Sequence, residues 1–171
     1  KPAAVMVLIE PGSVAQVVLT VRSLQLHQHG GQVSFAGGKK DSEDGNLIET
    51  ALRETHEELG IPPNNIEVLG QMPSLPTVSA YNVSPVIGLL KPHTNIVPNV
   101  GEVAKVFLVP LAQLMQPKRY LHYPIMRGNQ AFQTVKFAHT ENIWGATATI
   151  LLALAEHYQA YARDIRYGFD E

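Results

Sequence analysis

The 171-residue sequence contains no cysteine. That absence excludes a disulfide scaffold, a cysteine-ligated zinc or iron–sulfur centre and a thiol nucleophile, and it fits a reducing, cytoplasmic setting. Charge is also sparse. Charged residues make up 16%, and 13 lysines and arginines nearly balance 15 acids, for a net charge of -2. A dedicated nucleic-acid binder carries a basic stripe, so no nucleic-acid partner is expected. Long apolar runs are missing as well. The most apolar stretch, residues 143–155, is about 13 residues long against the roughly 20 that a bilayer requires, so no membrane partner is expected. The apolar run in Lys1–Glu10 is too short and too β-branched for a signal peptide. With 45% hydrophobic residues the chain still has ample material for a core. Its length suits a single domain over residues 1–171, on a norm of about 100–200 residues per domain.

What is present is a series of short β-branched runs set between turns. Val5–Ile9 and Val14–Val21 flank Glu10-Pro-Gly-Ser13 and predict a strand, a turn and a strand. Gln32–Phe35 predicts a third extended piece, ended by Gly37-Gly38. Residues 46–59 carry a helical pattern, with Ile48, Leu52, Thr55 and Leu59 on one stripe. Asn46 suits the N-cap with Glu49 three residues on, and Gly60 followed by Pro62-Pro63 is a strong stop. Ile66–Gln71, Val83–Leu90 and Val103–Val109 predict strands, and residues 120–137 a hairpin, with Tyr120 and His122 at a loop lid. A last amphipathic helix is expected from Asn142 to Arg163, with Ile143, Trp144, Ile150, Leu151 and Leu154 in the core. This order predicts an α/β fold with a mixed β-sheet between helices, an α/β/α sandwich.

The informative segment is the second half of the first helix. At about 100° per residue, Glu57 and Glu58 lie near −60° and +40° of Glu54, so three carboxylates share one face. Like charges at this spacing repel, and acids in the last turn meet the negative end of the helix dipole. A hard divalent cation held by oxygen ligands reverses the sign of both effects. Arg53, four residues before Glu57, can fix that carboxylate. A solvated acidic helix end is the plain alternative, weakened by the Gly37-Gly38 loop whose backbone can approach a metal or a phosphate closely.

Gly38, Arg53, Glu54, Glu57, Glu58 and Gly60 stand in the order of the Nudix box, which this segment resembles: Gly, five residues, Glu, seven residues, then Arg-Glu-x-x-Glu-Glu-x-Gly. Two details depart from that form. Asp44 replaces the first Glu, and eight residues rather than seven precede Arg53. A second stretch, running from Leu19 through Arg22, Ser23, His29, Gly31, Gln32, Ser34, Phe35 and Gly37-Gly38 to Asp41, is similar to the signature of the coenzyme A pyrophosphatase branch, which shares the longer spacing. His27 stands where that branch has Arg, and Ala36 where it has Pro. Residues 101–111 and 143–148 also look like that branch.

The resemblance implies a Nudix-like α/β/α sandwich and a hydrolase that uses Mg2+ or Mn2+. It further implies coenzyme A (CoA) or acyl-CoA as substrate, cut to 3′,5′-ADP and 4′-phosphopantetheine or its acyl form. Clustered dications neutralise the non-bridging oxygens of a diphosphate and acidify the attacking water. On this reading Glu54 and Glu58 bind metal directly, Glu57 is a further ligand held by Arg53, and the Gly38 carbonyl completes the shell. Glu102 is the candidate general base, or else a surface glutamate. Arg22 reads either as a phosphate contact or as a salt bridge within the sheet. Ser23, Gln32 and Ser34 match the branch signature, and Lys39 and Lys40 beside the glycines screen phosphates or are simply solvated. A homodimer stays open. Two other readings stay open beside it: a Nudix hydrolase for another nucleoside diphosphate derivative or nucleotide, and a non-catalytic nucleotide-binding Nudix domain.

Overall fold

The computed structural model describes residues 1–25, 29–77 and 80–167, so His27 lies outside the described residues. The chain divides into two compact units, Lys1–Pro110 and Leu111–Glu171.

The first unit is a mixed sheet with one long helix. Its elements are β1 (Pro2–Glu10), β2 (Gln16–Arg22), β3 (Val33–Ser34), β4 (Ala36–Lys39), α1 (Leu47–Leu59), β5 (Ile66–Gln71), β6 (Leu75–Pro76), β7 (Asn82–Leu90) and β8 (Val103–Pro110). β1 and β2 pair only next to their turn, at Ile9–Val17 and Glu10–Gln16. Beyond that they part, and the β3–β4 segment fills the gap. β3 pairs with the end of β2, and β4 pairs antiparallel with the first half of β1. On its other side β1 runs parallel to β7, which carries β5 and β6 antiparallel, while β8 pairs antiparallel with β2. The sequence predicts that Gly37-Gly38 end a strand; in the structure they form one. Glycine is a poor strand former in isolation, and here the ladder with β1 overrides that preference.

Residues two apart on β1, Ala4, Met6 and Leu8, face one way into a cluster with Val18, Ala36, Ala51, Leu59, Ile61, Ile66, Val86 and Leu90. Full burial of a side chain such as Met6 or Leu59 contributes about 1.5–3 kcal/mol each. α1 starts as expected, with Asn46 Oδ1 accepting the Glu49 N–H at 2.9 Å and Glu49 Oε2 accepting the Gly45 N–H at 2.8 Å. It ends at Gly60, whose φ of 66° is left-handed. Its buried face keeps Thr55 and Leu59 of the expected stripe but not the other two residues. Ala51, Thr55, Glu58 and Leu59 are buried, whereas Ile48 and Leu52 pack only at the cluster's margin.

The second unit contains a short helix α2 (Leu111–Leu114), the hairpin β9 (Tyr120–Arg127) and β10 (Gln130–Phe137), and the long helix α3 (Gly145–Tyr167). Leu114, Phe137, Ile143 and Leu151 are buried, while Trp144 and Leu154 are half-buried. Tyr120 corrects the lid expectation. Its ring is buried 4.9 Å from that of Phe137 and its hydroxyl donates to the Leu114 carbonyl at 2.9 Å, so it is a core residue. His122 sits within β9 opposite Val135. Among the described residues no helix is long and apolar enough to cross a membrane.

Candidate active site

Arg53 sits at the centre of the acidic helix end. Its Nε and Nη2 donate to the two carboxylate oxygens of Asp44, each at 3.0 Å, in the two-pronged geometry a guanidinium favours. Nη2 also meets the Lys39 carbonyl at 3.0 Å, and Nη1 reaches Glu54 Oε1 at 3.0 Å and Glu57 Oε2 at 3.1 Å. Asp44 in turn accepts the Asp41 N–H and the Thr50 hydroxyl, both at 2.9 Å. The Arg53 guanidinium first, then the Asp41 N–H, hold the Asp44 carboxyl well below the usual carboxylate range. The sequence reading found the Arg53–Glu57 pair but gave Asp44 no role beyond a departure in spacing. The signal was an acid nine residues before the arginine, across a turn whose path the sequence does not fix.

Glu54 and Glu58 point to the sheet side. The Glu54 carboxylate lies directly over Gly38, where a Cβ would come within 2.3 Å of Oε1. Burial raises the Glu54 pKa, and Glu57 and Glu102 push the same way against the pull of Arg53. Glu58 is only 2% exposed, and burial pushes it up to about 7. Arg22 and the Gly37 N–H oppose that rise, while Glu54 and Glu102 add to it. Arg22 occupies a bulge where the β2–β8 register shifts between Val21 and Arg22, and its Nη1 stands 3.8 Å from Glu58 Oε1. Arg22 is therefore in an ion pair, but with an acid of the helix rather than with a neighbour in the sheet.

The β1–β4 ladder sorts the two glycine carbonyls. Lys40 N–H bonds to the Pro2 carbonyl, so antiparallel alternation makes Ala4–Gly38 a hydrogen-bonded pair. The backbone groups of Gly37 and Lys39 then turn outward, as the Lys39 carbonyl on Arg53 and the Gly37 N–H on Glu58 both attest. Gly38 thus spends its carbonyl on the sheet, and the carbonyl turned outward is that of Gly37.

Glu102 joins from a distant part of the chain. The loop before β8 caps α1: Val97 N–H bonds to the Leu59 carbonyl and Asn99 N–H to the Glu58 carbonyl, each at 2.9 Å. The Glu102 carbonyl accepts the Ser23 N–H at 2.8 Å, which brings the loop to the end of β2. Of the remaining expected contacts, two hydroxyls are engaged internally. Ser34 Oγ lies 3.0 Å from Thr20 Oγ1, and Ser23 Oγ accepts the Gln25 N–H at 3.3 Å. Gln32 Oε1 is 2.9 Å from His29 Nδ1, and the exposed Lys39 places its Nζ 5.8 Å above the Tyr81 ring.

Among the described residues no three acidic or histidine side chains already surround one point. The Arg53 and Arg22 guanidinium groups supply the positive charge that Glu54, Glu57 and Glu58 face. The donors themselves are all oxygens and two of the acids are desolvated with raised pKa, a set that suits a hard divalent cation.

A mixed sheet in which a Gly-Gly strand backs an acidic helix end defines the Nudix fold, and the chain belongs to the Nudix family: the NUDIX domain model matches residues 1–127. It is 42% identical over 156 residues to a protein named "Uncharacterized Nudix hydrolase NudL" from Pectobacterium atrosepticum, a match covering 91% of this chain and 81% of the relative. Among solved structures it is similar to RenU, a Nudix hydrolase from M. smegmatis, with a TM-score of 0.55 and 27% identity over 66% of this chain and 71% of that one. A C. elegans Ap4A hydrolase complex superposes with a TM-score of 0.62 over 95% of this chain and 98% of that one, at 13% identity, which speaks to the fold alone. The chain is a Nudix hydrolase, an enzyme acting on phosphoric anhydrides.

Proposed function

We propose that the chain hydrolyses the diphosphate linkage of coenzyme A or an acyl-CoA, yielding 3′,5′-ADP and 4′-phosphopantetheine or its acylated form. One observation carries this reading. Within the stretch that resembles the CoA pyrophosphatase signature, the described residues 19–25 and 29–41 include the strands holding Arg22 against Glu58 and Gly38 against Glu54.

Nudix hydrolases use divalent metal ions, and on this reading Glu54, Glu57 and Glu58 hold Mg2+ or Mn2+. The backbone oxygen that joins them is that of Gly37, because the Gly38 carbonyl is committed to Ala4. When bound, the metal neutralises diphosphate charge and makes the attacking water more acidic. The chain's own residues do the rest. Arg53, anchored on Asp44, keeps Glu54 and Glu57 in place. Glu102, close enough for Glu54 and Glu58 to feel its charge, takes the proton from the attacking water. Arg22 offers a charged fork to a phosphate, and Lys39 and Gln32 flank the approach. Ser23 and Ser34 shape the loop and strand that carry these groups. Residues 1–171 act as one Nudix domain.

The test is mass spectrometry of the products from CoA, acyl-CoA, ADP-ribose, NADH and deoxynucleoside triphosphates, each with Mg2+. Release of 3′,5′-ADP from CoA or acyl-CoA at the highest rate supports the reading. Faster turnover of another member of the panel replaces CoA with that nucleotide, and no turnover of any of them removes CoA and acyl-CoA as substrates.

A further inference from the structure

The loop that delivers Glu102 is organised around Asn99. The Asn99 N–H is bonded to the Glu58 carbonyl at 2.9 Å, and its own carbonyl accepts the N–H groups of Glu102 at 3.0 Å and Val103 at 2.8 Å. Its side chain divides its two ends. Oδ1 accepts the Gly101 N–H at 3.1 Å, and Nδ2 donates to Glu102 Oε1 at 3.1 Å. Only one orientation of the amide satisfies both partners, since Gly101 offers a hydrogen and the carboxylate requires one. The Glu102 backbone is already tied on both sides, through Asn99 and through Ser23. Its half-buried side chain is the remaining freedom, and the Asn99 amide is what restrains it.

We propose that Asn99 is a positioning residue for hydrolysis, aiming the Glu102 carboxylate toward the acid-rich end of α1 while its backbone locks the loop to that same helix. The proposal rests on Glu102 taking part in the reaction. A proton acceptor acts only within hydrogen-bond reach of its proton, so a carboxylate that swings among rotamers spends much of its time out of position. The alternative is that Asn99 merely builds the turn, through Oδ1 and Gly101.

Two variants separate these roles. Asn99→Asp keeps an oxygen for the Gly101 N–H but replaces the donor facing Glu102 with a negative charge. Asn99→Ala removes both contacts. Using the substrate turned over fastest in the panel above, each variant is expected to lower kcat by about tenfold while KM stays within about twofold. The Asn99→Asp protein should keep its thermal midpoint within about 2 °C of the parent chain. Adding Asn99→Asp to Glu102→Gln should cost nothing further, because the residue it positions is already disabled. Normal kcat in Asn99→Asp beside an impaired Glu102→Gln overturns the Asn99 assignment alone, as does additive loss in the double variant. Normal kcat in Glu102→Gln overturns the role of Glu102 and the proposal with it.

Discussion

Asp44 and Arg53 show how one side chain can fix the position of several others. Asp44 takes both prongs of the guanidinium, which leaves Nη1 for Glu54 and Glu57. Removing the Asp44 charge frees Arg53 to move, so Asp44→Asn should lower both turnover and thermal stability. The pH dependence has a definite sign. The folded-state pKa of Asp44 is depressed, so its contribution is present above the unfolded value of about 4 and fades as pH falls from there. Midpoints measured from pH 7 down to about 2 should therefore fall less steeply in Asp44→Asn than in the parent chain. Parallel curves would remove Asp44 from this role. Glu54 and Glu58 make a different case. Both are desolvated acids with raised pKa, so a neutral glutamine of the same shape is no burden to folding. Glu54→Gln and Glu58→Gln should each lower kcat by about a thousandfold or more with the midpoint retained, because the charge proposed to hold the dication is gone. Near-normal turnover in either would refute the metal assignment.

The meeting of α1 and β4 explains why much of the site was legible in the sequence and where legibility ended. The cap, the stop and the helical phase of Arg53, Glu54 and Glu57 depend on neighbours within a few residues, and all of them appear as read. The buried face does so only in part. The stripe placed Ile48 and Leu52 inward with Thr55 and Leu59; Thr55 and Leu59 are buried as read, but Ile48 and Leu52 stay at the margin, so the residues turned inward at mid-helix are the small Ala51 and Thr55. Together with the glycines of β4 they permit a close approach that carries Glu58 under cover. Close approach depends on what lies on the other element, and a periodicity argument along one element cannot see it. The same holds for Gly37-Gly38, whose strand exists only because β1 has an open edge there. This contact yields a sharp expectation. Gly38→Ala would drive its Cβ to 2.3 Å from Glu54 Oε1, so the carboxylate must leave its place even if the backbone does not move. With Glu54 as the proposed metal ligand, turnover should drop by about a hundredfold, while the helix content by circular dichroism is unchanged. A variant with full activity would show that Glu54 acts from another position.

At the scale of the whole molecule, the site gathers residues from four distant stretches of chain: Arg22 at the end of β2, the glycines of β4, the acids of α1 and Glu102 before β8. No local pattern links them. The resemblance pointed to Glu102 only as a later-loop acid, and the fold supplies the Ser23 and Asn99 contacts that hold it there. Such an assembly has a thermodynamic consequence. Four acids drawn together by folding repel one another, and the repulsion is present in the folded chain but largely dispersed when it unfolds. A ligand that binds only the gathered set stabilises the fold by RT ln(1 + [L]/Kd), about 2.7 kcal/mol at a hundredfold excess over Kd. Mn2+ or Mg2+ should thus raise the melting midpoint of the metal-free protein in a concentration-dependent way, and chelation should reverse the gain. In the Glu54→Gln, Glu58→Gln double variant the rise should vanish, while the midpoint without metal should hold or increase, since the repulsion has been relieved. If the double variant gains as much from metal as the parent chain, the dications act elsewhere on the surface and the helix acids do not hold them.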